Sequence, residues 1–237
     1  MKKSAIISAL WKLLPESSIK RLIRSYKYDK NSFQYTSANV FQDIYEGKTN
    51  LWGQEESKSG GGSSMNATIA LREQLPLIIE KFAITSMLDA PCGDYNWMKT
   101  VEKNCSYIGG DIIPEMIENN QKLFGSEKFQ FKVIDITKTP IPKVDLIFCR
   151  DCLQHLSYNS IKKAIENFKN SGSKYLLTSS YPKTWRNWDI LDGDFRCINL
   201  SKKPFCFPKP LLVIKEKHTS KLGFDKSMNL YVLDSIV

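Results

Sequence analysis

No apolar run in the 237-residue sequence approaches the ~18–20 residues that a membrane span needs. The opening, Met1 to Leu10, mimics the front of a secretory signal, but Lys12 interrupts it and no small-x-small site follows. The expected location is therefore cytoplasmic. Cysteine is sparse and scattered (Cys92, Cys105, Cys149, Cys152, Cys197, Cys206), which argues against a disulfide framework in a chain this long. Cys149-x-x-Cys152 lacks a second pair or a histidine at zinc spacing, so no metal site is expected. Histidine occurs only at His155 and His218, and there is no internal repeat.

The net charge of +9 is concentrated at one end. Residues 1–30 hold eight Lys/Arg against Glu16 and Asp29, leaving +3 for the rest of the chain. A body so nearly balanced has no phosphate-tracking stripe, and nucleic acid is not an expected partner. Residues 1–30 read as a basic amphipathic helical arm hinged at Pro15, with Ile19, Leu22, Ile23 and Tyr26 at helical spacing. That stripe suits packing on the protein's own body or a second subunit, the favoured reading. It also suits peripheral contact of residues 1–28 with an anionic membrane at its inner face.

Residues 31–82 form a polar and aromatic cap segment containing a flexible stretch at Ser57–Ser64. A helix over Met65–Phe82 follows, capped by Ser63 or Ser64 and kinked or restarted at Pro76. From residue 84 short apolar runs alternate with helical stretches. Strands are expected at 85–89, 106–111, 129–135, 144–149 and 175–180. Helices are expected from the first turn to about Lys103, over Pro114–Phe124, and over Ser160–Asn170. Two closing strands cover 211–217 and 228–234. This alternation implies a mainly parallel α/β sheet with helices on both faces.

In such a sheet a ligand sits beyond the carboxyl ends of the strands, near the first one. The first strand ends in Leu88-Asp-Ala-Pro-Cys-Gly-Asp-Tyr-Asn-Trp97, where only Gly93 could belong to a G-x-G-x-x-G dinucleotide motif. Asp94 would place a carboxylate where a pyrophosphate needs bare N–H groups. Asp111 ends the second strand, where an acid binds ribose hydroxyls. Asp135 ends the third and can accept from an adenine amino group, with Ile112 and Ile136 as apolar walls. Each acid alone could be a turn residue or a cap. Together they favour a nucleoside without phosphate.

These residues, with Ile108-Gly-Gly-Asp-Ile112, Val133-Ile-Asp-Ile-Thr137 and Asp145-Leu-Ile-Phe-Cys-Arg-Asp-Cys-Leu-Gln-His155, resemble class I S-adenosylmethionine-dependent methyltransferases over about residues 50–237. The resemblance implies a Rossmann-like seven-stranded mixed sheet, its last strand antiparallel, with an N-terminal helical extension. It places Asp89 and Gly93 at the methionine end, Asp111 at the ribose, and Asp135 with Ile136 at the adenine. Pro91 and Tyr95 stand where the family usually has glycine. Trp52, the Gly/Ser segment and Asp-x-Pro-Cys-Gly-Asp are similar to a bacterial subgroup associated with surface polysaccharide or small-metabolite pathways. The implied S-adenosylmethionine set is Asp89, Ala90, Cys92, Gly93, Asp94, Trp97, Asp111, Ile112, Asp135, Ile136 and Arg150. Gly61 joins it if Gly60–Ser63 covers the cofactor.

Asp151 and His155 are i and i+4, so a helix there would put them on one face. His155 is the candidate general base, and its plain alternative is a histidine lining the site beside a capping Asp. Arg150 could hold an anionic substrate or pair with a neighbouring acid. The loop Trp185-Arg-Asn-Trp-Asp-Ile-Leu-Asp-Gly-Asp194 suits a sugar, through stacking faces and accepting carboxylates. The leading expectation is O- or N-methylation of a small molecule or glycan. The alternatives are an RNA or protein methyltransferase, a non-catalytic cofactor-binding scaffold and, weakest, an NAD-dependent oxidoreductase.

Overall fold

The computed structural model describes residues 37–48, 56–216 and 225–236. The expected arm at 1–30, Trp52 and His218 lie outside them. Seven strands form one sheet: β1 Ser86–Asp89, β2 Ser106–Asp111, β3 Phe129–Val133, β4 Leu146–Cys149, β5 Tyr175–Ser180, β6 Leu212–Lys215 and β7 Ser227–Val232. Their spatial order is β3-β2-β1-β4-β5-β7-β6. The first five run parallel, and β7 lies antiparallel between β5 and β6. The helices are α1 Ser37–Tyr45, α2 Ile69–Lys81, α3 Pro114–Phe124 and α4 Tyr158–Asn170.

Side-chain alternation along each strand divides the core in two. In β4, Leu146 and Phe148 join Leu71, Leu75 and Ile78 of α2 and Ile117 of α3. Ile147 and Cys149 join Ile161, Ala164, Ile165 and Phe168 of α4 on the opposite face. A strand covered on both faces has no polar side to show, which is why 146–149 reads as one apolar run. The α4 residues recur at i, i+3, i+4 and i+7, so a single stripe is buried against the sheet.

Several local expectations change. Helix α2 begins at Ile69, because the Thr68 hydroxyl donates back to the carbonyls of Ser64 and Met65 and holds that stretch in turns. The Ser64 hydroxyl caps those turns by accepting from the Ala67 N–H. The helix expected up to Lys103 shrinks to a 3-10 turn at Met98–Thr100. There Lys103 Nζ donates to the carbonyls of Met98 and Val101, which a longer helix would have used itself. Strand β3 stops at Val133, two residues before Asp135. Asp135 instead closes a turn in which Oδ1 accepts from both the N–H and the hydroxyl of Thr137. Among the described residues, no helix is long and apolar enough to cross a membrane.

Candidate functional site

The strand order reverses between β1 and β4, and a cavity of about 540 Å³ opens at their carboxyl ends. Its roof is the Gly/Ser segment. Gly60, Gly61, Gly62 and Ser63 line it, with Gly61–Ser63 forming a 3-10 turn. The β1 loop fastens one end of this strap. The Asp94 carboxylate accepts from the hydroxyls of Ser57 and Ser59 and from the Lys58 N–H. Asn96 Nδ2 donates to the Ser63 carbonyl at 3.2 Å. Arg150, at the tip of β4, fastens the other end by donating to the Gly62 carbonyl at 2.9 Å.

The strap lies so close that its partner residue must be glycine. Gly93 has φ +57°, and a Cβ there would come within 2.2 Å of Ser59 Oγ. Tyr95 also holds a left-handed backbone, at φ 58°. Its ring offsets that strain by packing among Tyr107, Phe124 and Phe131, with centroids 5.1–5.3 Å away. A bulky residue therefore stands where glycine is usual, because the aromatic cluster under the loop pulls it inward.

Two carboxylates sit buried at adjacent strand tips. Asp89 is 2% exposed and accepts from Tyr107 Oη at 2.7 Å. Burial pushes its pKa up to about 7, against the opposing hydrogen bond from Tyr107. Asp111 accepts from the N–H groups of Gly93 and Ile113. Burial raises its pKa to about 6, those backbone donors restraining the rise. Asp135 lines the cavity too, although it is committed to Thr137 and pairs with Lys138 at 3.3 Å.

A charged cluster occupies the β4 side. Arg150 is buried, stacked over Trp97 at 5.6 Å, and bonded to Glu216 Oε2 through Nε and Nη2. It also pairs with Asp151 at 3.1 Å. Lys226 bridges Asp151 and Glu216. Burial by itself would lower the Arg150 pKa, but the carboxylates of Asp151 and Glu216 outweigh it and hold it raised. Burial likewise works to raise the Asp151 pKa, and the two cations outweigh it and hold it well below the carboxylate range.

The expected helical face for Asp151 and His155 does not form. Asp151 has φ 50°, and Leu153–His155 is a 3-10 turn. Four residues at that pitch do not bring i and i+4 together. Asp151 turns to Arg150, Lys226 and Gln154, whereas His155 Nδ1 lies 2.9 Å from the Asp194 carbonyl. A carbonyl only accepts, so Nδ1 carries the hydrogen and Nε2 presents the ring's lone pair. Burial lowers the His155 pKa, which keeps that nitrogen neutral.

Asp89, Cys92, Gly93, Trp97, Asp111, Ile112, Asp135, Ile136, Arg150, Gly61, Asp151 and His155 all line the cavity. Ala90 does not, being packed into the core on the α4 face. Asp94 does not either, because its carboxylate is spent on the strap. The Trp185–Asp194 loop stands outside the cavity. Trp185 is 82% exposed, and the acids cap α4: Asp192 accepts from Ser157 N–H and Ser160 Oγ, Asp189 from Tyr158 N–H. The sequence reading missed Gln154, Tyr181, Glu216 and Lys226, which also line the cavity. For Glu216 a signal existed, since it is the residue directly past β6 at the same end of the sheet.

The family described as a methyltransferase domain matches residues 87–171. The match runs from β1 to the end of α4. No curated protein matches the chain in sequence. Among solved structures, the domain's fold is similar to the N-methyltransferase NodS of Bradyrhizobium japonicum in complex with S-adenosyl-L-homocysteine. The TM-score is 0.57 at 14% identity, over 82% of this chain and 98% of that one. It is also similar to a 1,6-didemethyltoxoflavin N1-methyltransferase of Burkholderia thailandensis with that substrate and S-adenosylhomocysteine bound. There the TM-score is 0.55 at 13% identity, over 82% and 85% of the two chains. Likeness at these identities shows the fold, a Rossmann-like seven-stranded sheet with its last strand antiparallel.

Proposed function

We propose that the protein transfers a methyl group from S-adenosylmethionine to a small-molecule or glycan acceptor. One observation carries this reading: the buried carboxylates Asp89 and Asp111, at the tips of β1 and β2, border a cavity roofed by a glycine strap. The donor set fits the cofactor. Acids suit an ammonium and a ribose diol, and Ile112 and Ile136 offer apolar walls to a base. A pyrophosphate would find no helix N-terminus after β1, only the 3-10 turn at Met98–Thr100. Asp111 already occupies the Gly93 N–H that it would need.

When bound, S-adenosylmethionine supplies a methyl carbon activated by its sulfonium. The chain's own task is then to orient and to exclude water. Asp89 would hold the methionine end and Asp111 the ribose, while Asp94 and Arg150 fasten the strap beside them. For an oxygen acceptor, His155 Nε2 would take the hydroxyl proton. For a neutral amine, positioning suffices and a proton is lost afterwards.

The test is binding of S-adenosylhomocysteine by calorimetry and thermal shift, followed by transfer of labelled methyl to polyols, phenols, amines and RNA. Stabilisation of the wild type that Asp111→Ala abolishes is the expected result. A folded sample that neither ligand stabilises would overturn the cofactor, and labelling of RNA alone would overturn the acceptor class.

A further inference from the structure

The loop that carries Trp185 and Trp188 is braced from beneath by two buried amides. Asn187 Nδ2 donates to the carbonyls of Asn199 and Lys203, each at 2.9 Å, and its Oδ1 accepts from the Asn199 N–H at 2.9 Å. Asn199 Nδ2 donates in turn to the carbonyls of Pro182 and Thr184, both at 2.9 Å. Residues 182–188 and 199–203 are thereby tied into one platform. Asn187 and Asn199 are buried, so water does not compete for the brace. The two indoles beside Asn187 are not buried: Trp185 is 82% exposed and Trp188 53%. Two large aromatics held out in solvent on a built support mark an interaction surface.

The platform's charge is mainly of one sign. Lys183, Arg186, Lys202 and Lys203 are all exposed, and neither segment contains an acid. Among the described residues, none of these four cations is in an ion pair. Two acids border the platform and are turned to backbone N–H groups. Asp189 accepts from Tyr158 and Ile190, and Asp225 from Lys183. Four cations against two acids leave the surface positive.

Indoles beside unpaired cations narrow the partner. Indoles settle at the boundary between water and lipid, and Lys and Arg reach headgroups while their alkyl stems lie on the apolar layer. A strand of nucleic acid needs a groove with stacking walls, whereas an indole 82% exposed stands above its surroundings. A second copy of this chain would set like charge against like. We infer that this platform docks on an anionic membrane surface, with Trp185 and Trp188 entering the headgroup region and the four cations facing lipid phosphates. The docking surface is independent of which acceptor the cavity takes. It is also separate from the basic arm at 1–30. The loop runs on into the cavity rim: Phe195 lines the cavity while 47% exposed, and the Gly193 N–H and Asp194 carbonyl both bond His155. Docking through this loop therefore tethers the rim.

The experiment is co-sedimentation of the full chain with vesicles of phosphatidylglycerol in phosphatidylcholine, against phosphatidylcholine alone, with tryptophan emission followed in parallel. Wild type is compared with a Trp185→Ser, Trp188→Ser double variant and a Lys202→Glu, Lys203→Glu double variant. Wild type should bind the anionic vesicles, leave the neutral ones, and shift its emission to the blue. Loss of both indoles should weaken binding about tenfold or more and remove the blue shift. Each cation near an anionic surface is worth about fivefold, so reversing two should weaken binding about 25-fold or more. Both variants should keep the wild-type melting temperature and S-adenosylhomocysteine affinity. Equal vesicle binding by all three proteins would assign the contact to another part of the chain, residues 1–30 included, and would overturn the inference. So would a wild type that ignores anionic vesicles or binds neutral ones equally well. Binding of a labelled single-stranded RNA in place of vesicles, lost in the same variants, would overturn it in favour of nucleic acid.

Discussion

Replacing Asp89 with asparagine separates what the buried acid does for stability from what it does for the ligand. Its pKa stands at about 7 against an ordinary 3.8, because burial penalises the ionised form. The folded state therefore binds this proton more tightly than the unfolded chain. Stability from the protonated group is complete below 3.8 and is lost as pH rises through 7. That gap, at about 1.4 kcal/mol per tenfold, amounts to about 4 kcal/mol as an upper bound. Asparagine keeps an oxygen for Tyr107 Oη and carries no charge to bury. Urea unfolding of the ligand-free variant should show it more stable than wild type at pH 8, by up to about 4 kcal/mol. The advantage should vanish at pH 4, where the wild-type acid is protonated. Asp111, raised to about 6, retains a smaller slope of the same sign in both proteins. S-adenosylhomocysteine should bind the variant more weakly, the usual trade between a strained site and stability. An Asp89→Asn protein that is less stable at pH 8, or whose pH slope equals that of wild type, would refute the burial argument.

Gly93→Ala forces a Cβ against Ser59 Oγ at a left-handed backbone position. It should cost about 1–3 kcal/mol by denaturant unfolding and weaken S-adenosylhomocysteine measurably in calorimetry. Asp94→Ala releases the strap from Ser57, Lys58 and Ser59. Amide exchange at 57–63 should accelerate, with cofactor affinity falling about tenfold and the melting temperature changing little. His155→Gln should reduce kcat with an oxygen acceptor about 100- to 10,000-fold and leave S-adenosylhomocysteine affinity intact. Because burial lowers the His155 pKa, wild-type kcat should reach its plateau below the pH of an ordinary histidine. An unaltered kcat in that variant would remove His155 from the proton path.

The strands were legible because a sheet covered on both faces leaves an apolar run such as 146–149, and the acids were legible because the strand tips open on the cavity. The seven-stranded order with an antiparallel β7 agrees with the family resemblance. The helix joining Asp151 to His155 was misread, because spacing cannot reveal that a left-handed residue at 151 breaks it. The tryptophan loop was misread because Asp189 and Asp192 look the same in sequence whether they await a sugar or cap α4.

The β1 loop and Asp111 were determined by sequence alone, since a strand, a turn and an acid are local features that neighbouring residues dictate. Tertiary structure decided what those residues do. Asp94 holds a strap 35 residues upstream instead of facing the cavity. Asp151 and Glu216 share Arg150 and Lys226 only because β4 and β6 point their carboxyl ends the same way. Long-range packing sets the partners of a buried polar atom, and no local sequence pattern records them.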